Sequence, residues 1–173
     1  MQYICGLIAA GESLLDRACD ALGRELAPLQ QASETWPFDL TDYYAPQMGT
    51  GLLRRFVTLG GLSGPEMLAE WKVRTNAIEQ RFAAEPSADA ARPVNLDPGY
   101  VASPKLVLAS MKDFAHRVYL GRGVYAEVTL MYRKGWQPLP WTFPDFASGR
   151  YDEFLTAVRD DLRRELTRKE PAE

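Results

Sequence analysis

Side chains suited to chemistry are concentrated between residues 95 and 127, a segment that contains the only histidine of the chain. They are Asn95, Asp97, Tyr100, Lys112, Asp113, His116, Arg117 and Glu127. A histidine beside a carboxylate is an oriented general base, because the carboxylate fixes the imidazole tautomer and stabilises the imidazolium ion. A nearby lysine can hold an anionic group of a ligand. The residues predicted to be catalytic are His116, Glu127, Lys112 and Asp97.

A β-hairpin is predicted from two strand-like runs around a Gly-Arg-Gly turn, residues 116–120, 121–123 and 124–132. A two-residue turn would place His116 opposite Glu127, which makes a general-base pair available. A three-residue turn would place Arg117 opposite Glu127 instead, which gives an ion pair on the sheet. Since cross-strand ion pairs are common, a structural salt bridge is the plainer interpretation of these residues.

Polar residues on two other segments are candidate ligand contacts. Lys72, Asn76 and Glu79 repeat at i, i+4 and i+7, so they form a polar stripe on a predicted helix. This stripe is either a solvated helix face or the border of a cleft. An aromatic, proline-containing loop contains Asp42 and Tyr43, and such loops often rim pockets. The residues predicted to bind a ligand are Lys72, Asn76, Glu79, Asp42, Tyr43, Tyr100 and Arg117.

No metal site is predicted, although carboxylates are numerous. The candidate ligands would be Asp97, Asp113, Glu127 and His116. The sequence contains no H-E-x-x-H, D-x-D-x-D-G or paired-cysteine spacing. Gly49-Thr50-Gly51, ahead of Arg54 and Arg55, could offer amides and cations to a phosphate, but two glycines more often form an ordinary turn. The identity of any cofactor stays unknown.

Hydrophobic periodicity predicts the elements that position these residues. The predicted strands are residues 2–10, 31–38, 52–60 and 94–96, and the predicted helices are residues 14–26 and 63–82, the second with a capping box at Ser63–Glu66. This order is that of a ferredoxin-like βαββαβ sandwich, an α+β fold, here extended by the hairpin and a C-terminal helix over 151–166. A three-layer α/β fold is the alternative, because strand pairing is not visible in a sequence.

The remaining segments are predicted to connect these elements. Asp97-Pro98-Gly99 matches a type II turn. Residues 105–112 favour a short helix over a strand, residues 84–92 a surface loop, and residues 136–146 an extended strap, since prolines deny the strap regular hydrogen bonding.

Composition is typical of one globular domain spanning residues 1–173, with 46% hydrophobic and 25% charged residues. The net charge of -3 disfavours nucleic acid as a partner. The apolar N-terminus lacks a positive region and is interrupted by Glu12 and Asp16, so neither a signal peptide nor a membrane span is predicted. We therefore expect a cytoplasmic protein, with Cys5 and Cys19 as reduced core thiols.

Four segments of the chain form a recognisable ordered set: FDLTDYYAPQMG, VNLDPGY, KLVLASMKDFAHRVYLGRGVYAEVTLMYRKG and LPWTFPD. This set resembles the bacterial family called domain of unknown function 4416. The resemblance implies a self-contained bacterial cytosolic protein without an established reaction. Members are often labelled GTP-binding proteins, whereas this sequence has no G-x-x-x-x-G-K-[ST] and nothing like N-K-x-D, so a guanine-nucleotide site would have to be non-standard.

Two functions are consistent with the residues. The first is binding of, or catalysis on, a small anionic ligand, nucleotide-like or phosphorylated, at a polar site around His116. The second is a non-catalytic protein-interaction module anchored by surface aromatics, namely Tyr43, Tyr44, Trp141 and Phe143. The sequence does not predict an oligomeric state.

Overall fold

The computed structural model describes residues 1–86, 88 and 90–169, and its centre is one antiparallel sheet. The strands of the sheet are β1 (Gln2–Ala9), β2 (Leu29–Ala32), β3 (Trp36–Pro37), β4 (Leu53–Leu59), β5 (Val94–Ala102), β6 (Lys105–Ser110), β7 (Val118–Gly121), β8 (Val124–Tyr132) and β9 (Trp136–Pro138). They follow the order β2-β4-β1-β5-β6-β8-β7, with β3 paired to β4 and β9 paired to β8.

Helices cover both faces of this sheet. They are α1 (Glu12–Glu25), α2 (Ala45–Met48), α3 (Leu68–Ala83), α4 (Pro144–Ala147) and α5 (Asp152–Lys169), and a 3-10 turn at Pro65–Met67 precedes α3. Tyr3, Cys5 and Leu7 of β1 pack with α1 and α3. Ile4 points to the opposite face, where it packs with α5. Because both faces are covered, every residue of β1 is buried, as its continuous apolar run indicates.

The structure confirms a mixed α/β fold, but the turn predicted at Asp97-Pro98-Gly99 is wrong. The whole segment lies inside β5, and Pro98 pairs with Cys5 of β1. Gly99 serves close packing of strands, since a Cβ there would lie 2.3 Å from the carbonyl oxygen of Val107 on β6.

Three other local predictions are corrected. Residues 105–112 favoured a helix but contain β6, because pairing with β5 and β8 decides the conformation of a short apolar run that fits either element. The strand predicted over 31–38 is divided into β2 and β3. The capping box predicted at Ser63–Glu66 is not formed, because Gly64 is the N-cap of the 3-10 turn and has no side-chain oxygen that could accept a capping hydrogen bond. Ser87 and Asp89, in the loop predicted over 84–92, lie outside the described residues.

Candidate functional site

The candidate site lies where β5 and β6 separate. Their ladder runs from Ala102–Lys105 to Gly99–Leu108 and ends there. Beyond that point β6 stays paired with β8, whereas residues 94–98 of β5 pair only with β1. A proline has no N–H to donate to a neighbouring strand, so Pro98 stands at a natural end of the ladder. The two strands therefore form a fork in the sheet.

Two side chains of α3 bind the backbone of Leu96 inside this fork. The Leu96 N–H donates to Glu79 Oε1 at 2.7 Å, and Lys72 Nζ donates to the Leu96 carbonyl oxygen at 2.8 Å. Burial raises the pKa of Glu79, even though the cations of Lys72 and Arg92 act in the opposite direction. Glu79 and Lys72 of the predicted polar stripe therefore make the backbone hydrogen bonds of Leu96 that a neighbouring strand would otherwise make.

The fork encloses a pocket of about 200 Å³. Three residues predicted to be catalytic line it, namely Asp97, Lys112 and Glu127. So do four residues predicted to bind a ligand, namely Tyr43, Lys72, Asn76 and Arg117. The structure therefore brings seven of the eleven candidates to one cavity, although they come from two loops, one helix and two strands.

The other four candidates lie outside the pocket lining. Glu79 binds Leu96 and also accepts from Arg92 Nη2 at 2.8 Å. Tyr100 points to the sheet face covered by α3, away from the side chain of Asp97, and its ring packs 5.9 Å from that of Tyr3. Asp42 is exposed in the loop before α2. His116 does not line the pocket, and its Nε2 lies 3.0 Å from Glu127 Oε2.

Glu127 contacts both residues that the sequence analysis gave as its alternative partners. The β7–β8 ladder pairs Val118 with Ala126, so its continuation places Arg117 opposite Glu127. The three-residue turn considered in the sequence analysis would give this register, but the structure reaches it differently, because Gly121 pairs with Val124 and the ladder shifts between Tyr119 and Gly121. Arg117 Nε donates to Glu127 Oε2 at 2.7 Å. His116 Nε2 also lies 3.0 Å from the same oxygen. The carboxylate is therefore held from two sides.

His116 is fixed by ring contacts as well as by this carboxylate. Its imidazole stacks on Trp141, with ring centres 5.1 Å apart and planes 9° apart. Phe114 packs against it from a second direction, at 5.9 Å. These contacts orient the imidazole toward Glu127, and Glu127 is the member of the pair that faces the pocket.

Arg54 is a site residue whose role the sequence did not reveal. Its side chain is only 2% exposed, it lines the pocket, and its Nη2 donates to the buried Asp145 Oδ2 at 3.0 Å. Rings of Phe38, Phe56 and Phe146 lie 5.1–5.4 Å from the guanidinium carbon. Although burial opposes the charge, the Asp145 carboxylate raises the pKa of Arg54.

Two nitrogens of Arg54, Nε and Nη1, have no hydrogen-bond partner among the described residues. A buried donor without a partner is unfavourable by about 1–3 kcal/mol, so such groups usually mark water or ligand positions. The alternation of LRRFVTL could have indicated that Arg54 shares a buried sheet face with Phe56. Arg55 points to the other face and donates to Asp16 Oδ1 at 2.6 Å.

Thr129 is the second buried group that the sequence analysis missed. Leu106 pairs with Leu130 and Val107 with Val128, so Thr129 is the extra residue of a β-bulge. Bulges turn side chains out of the regular alternation and are frequent beside functional sites. The Thr129 side chain lines the pocket, is 1% exposed, and its hydroxyl has no partner among the described residues.

The loop Gly49-Thr50-Gly51, which the sequence analysis weighed as a phosphate contact and interpreted as an ordinary turn, is not part of this site. Gly49 and Thr50 line a separate cavity of about 510 Å³ in the described part of the chain, and Arg54 and Arg55 are not among its lining residues. No group of three or more metal-ligating side chains occurs in the described ranges. None of the described helices is long and apolar enough to cross a membrane.

These features define a protein of mixed α and β structure, with a polar pocket where two strands of an antiparallel sheet separate. The chain belongs to the family described as domain of unknown function (DUF4416), whose model matches residues 1–162, and the resemblance seen in the sequence is thereby confirmed. A search of curated proteins found no match.

Proposed function

We propose that the protein binds, or acts on, a small anionic ligand in the pocket between β5 and β6. The observation that supports this most directly is Arg54, a buried cation that lines the pocket with two unpartnered nitrogens. Among the described residues Arg54 pairs with the carboxylate of Asp145, which leaves its Nε and Nη1 donors available for a ligand oxygen. In a site shielded from water, a charged hydrogen bond to such an oxygen is stronger than a neutral one.

The charge of the pocket supports an anion. The cationic side chains in its lining are Arg54, Lys72, Arg92, Lys112 and Arg117, and the acidic ones are Asp97 and Glu127. Carboxylates pair with four of these cations, namely Arg54 with Asp145, Lys72 with Asp97, Arg92 with Glu79 and Arg117 with Glu127, so the excess positive charge at the pocket is that of Lys112. On a chain with a net charge of -3, this cation attracts an anion at short range even though the overall field does not.

The size of the pocket favours a small member of the proposed ligand class. Ligand pockets commonly measure about 300–1,000 Å³, and this one measures about 200 Å³. A compact phosphorylated or carboxylated molecule suits that volume better than a complete nucleotide. A catalytic role would fall to Glu127, which faces the pocket, with His116 and Arg117 holding its carboxylate.

A thermal-shift titration tests this function. We expect orthophosphate or small phosphate esters, at constant ionic strength, to raise the Tm of the wild type in a saturable way, because a ligand that binds only the folded state stabilises it. The variant Thr129→Val should keep or exceed the wild-type Tm without ligand, since it removes an unpartnered buried hydroxyl, and should lose most of the response.

Thr58→Val is the matched control. The Thr58 hydroxyl is also buried, but it accepts from the Gln31 N–H at 3.0 Å and does not line the pocket. We expect this variant to melt at a lower temperature and still respond to the anion like the wild type. If no anion gives saturable stabilisation, or if both variants respond equally, the proposal is wrong.

A protein-interaction module is the second candidate, because two of its proposed anchors are exposed. Tyr43 is 48% and Trp141 37% exposed, whereas Tyr44 and Phe143 are partly buried against the domain. Large exposed aromatics are frequent interface anchors. A partner recovered with the wild type and lost with Trp141→Ala would support this function, and an anion response without any partner would favour the first.

The fold is also proposed to be ferredoxin-like in its first part. Support comes from strands β1, β2, β4 and β5, whose order β2-β4-β1-β5 with antiparallel neighbours is the one expected of a βαββαβ sandwich. Helices α1 and α3 pack on one face of these strands. A reducing cytosolic location remains part of the proposal and is supported by the free, buried thiols of Cys5 and Cys19.

A further inference from the structure

We infer that the ligand has two anionic groups, one at each end of a short apolar link. This inference rests on the proposed function and concerns the chemistry of the ligand in the same pocket. It follows from the buried donors of Arg54 and Thr129 that have no partner among the described residues, from the exposed cation of Lys112, and from the apolar side chains that also line the cavity.

The bottom of the pocket holds the first anionic group. Arg54 and Thr129 are 2% and 1% exposed, and they contribute Nε, Nη1 and a hydroxyl without partners among the described residues. These donors come from different strands, β4 and β8, and all of them require an acceptor. A carboxylate or phosphate has several oxygens, and each of them can accept from an arginine or from a hydroxyl.

Lys112 provides the cation at the mouth. It lies two residues beyond the end of β6, is exposed, and lines the pocket. Its ammonium group contacts the Tyr43 hydroxyl and lies 4.4 Å from the centre of the Tyr43 ring. Among the described residues no carboxylate lies within ion-pair distance of Lys112, whereas Lys72 and Arg117 each bind one.

The two carboxylates that line the pocket are already paired with protein side chains. Asp97 is bound by Lys72 at 3.4 Å and by Asn95 at 2.6 Å, and Glu127 is bound by Arg117. The surrounding wall is apolar and includes Leu108, Phe143 and Phe146. A short carbon chain fits this wall, and placing a charge there would require an acceptor or donor that is already engaged.

A matched pair of small molecules tests the inference. Glycerol 3-phosphate and 3-phosphoglycerate share one phosphate end and differ in having a hydroxymethyl or a carboxylate at the other. Calorimetric titration of the wild type should give an affinity for 3-phosphoglycerate at least about tenfold higher, the factor expected for one added charged hydrogen bond. Succinate, a dicarboxylate of similar length, should compete with it.

Variants locate the two ends. Lys112→Gln should weaken 3-phosphoglycerate about tenfold and leave glycerol 3-phosphate unchanged, whereas Thr129→Val should weaken both. Lys105→Gln is the control, because Lys105 lies at the other end of β6 from Lys112 and does not line the pocket. Its affinities should equal those of the wild type.

The outcomes separate this inference from the proposed function. Equal affinities for the two phosphate compounds, together with a loss on Thr129→Val, would leave an anion site and overturn the two-ended ligand. Equal weakening of both compounds by Lys112→Gln would overturn it too, because the phosphate would then lie at the mouth. If neither compound nor orthophosphate binds, both proposals are wrong.

Discussion

Gly6 lies directly beneath the guanidinium group of Arg54. A methyl group at Gly6 would come within 2.6 Å of Arg54 Nη1 and 3.0 Å of the Phe56 ring. In the sheet Gly6 pairs with Phe56 of β4 on one side and with Asp97 of β5 on the other. The missing side chain is therefore what lets Arg54 extend across β1 toward the pocket.

The variant Gly6→Ala is expected to displace Arg54 and to abolish most of the anion response. Inserting a methyl group into a packed core typically lowers the free energy of unfolding by about 1–3 kcal/mol, so urea unfolding should detect a moderate loss. Gly61→Ala is the control, since a Cβ there meets nothing within 4 Å. An unchanged anion response in the Gly6 variant would contradict this role for the Arg54 position.

Lys72→Met is expected to lower the free energy of unfolding by about 2–3 kcal/mol. The substitution keeps the apolar stem but leaves the buried Leu96 carbonyl without its donor and Asp97 without its ammonium partner. Urea unfolding monitored by tryptophan fluorescence measures the difference. Arg74→Met, at an exposed position of the same helix, should change stability by less than about 0.5 kcal/mol. Equal effects of the two variants would mean that the Leu96 contacts contribute nothing.

Protonation of Asp97 in acid is expected to lower the free energy of unfolding. Burial alone would raise the pKa of Asp97, but the cations of Lys72 and Arg54 outweigh it and hold that pKa below its ordinary value. A carboxylate with a lowered folded-state pKa stabilises the fold above its unfolded pKa of about 3.9, and this stabilisation is lost as the pH falls toward the folded value.

The measurement is chemical unfolding between neutral pH and pH values below about 4. Asp97→Asn should be less stable than the wild type at neutral pH and should lose less stability across the acid range. Asp20→Asn, at an exposed position on α1, should keep the acid dependence of the wild type. An acid dependence of Asp97→Asn as steep as that of the wild type would exclude Asp97 as its source.

The sequence predicts those parts of the fold that local periodicity determines. The apolar run of β1 indicates a strand buried on both faces, and the three- to four-residue spacing of Leu15, Ala18 and Leu22 indicates the buried side of α1. It does not predict β6, because a short apolar run has no period of its own. Only the neighbouring strands decide that conformation.

The candidate site is predictable to a smaller extent and for a physical reason. Residues such as Lys112 and Glu127 stand out as polar types in a dense segment, and the structure places both in the pocket lining. Thr129 reaches the pocket because the ladder between β6 and β8 shifts by one residue. No local sequence pattern predicts this shift. In the sequence Arg54 is one of two adjacent arginines, and its position beside the pocket follows only from the pairing of β4 with β1.

The two partners of Glu127 are expected to differ in their effect on stability. Arg117 and Glu127 side chains are both 8% exposed, whereas the His116 side chain is 20% exposed. Glu127→Gln leaves the buried Arg117 without a countercharge and should lower the free energy of unfolding by about 1–3 kcal/mol. His116→Gln leaves the Arg117–Glu127 pair intact and should lower it by less than about 1 kcal/mol.

Anion titration of these two variants then separates the roles of the two side chains. Glu127 lines the pocket and His116 does not, so Glu127→Gln should alter anion affinity, whereas His116→Gln should leave it close to the wild type. If His116→Gln instead abolished binding at an unchanged Tm, the imidazole would have to contact the ligand itself. That result would place the ligand outside the fork, against the stacked rings of His116 and Trp141.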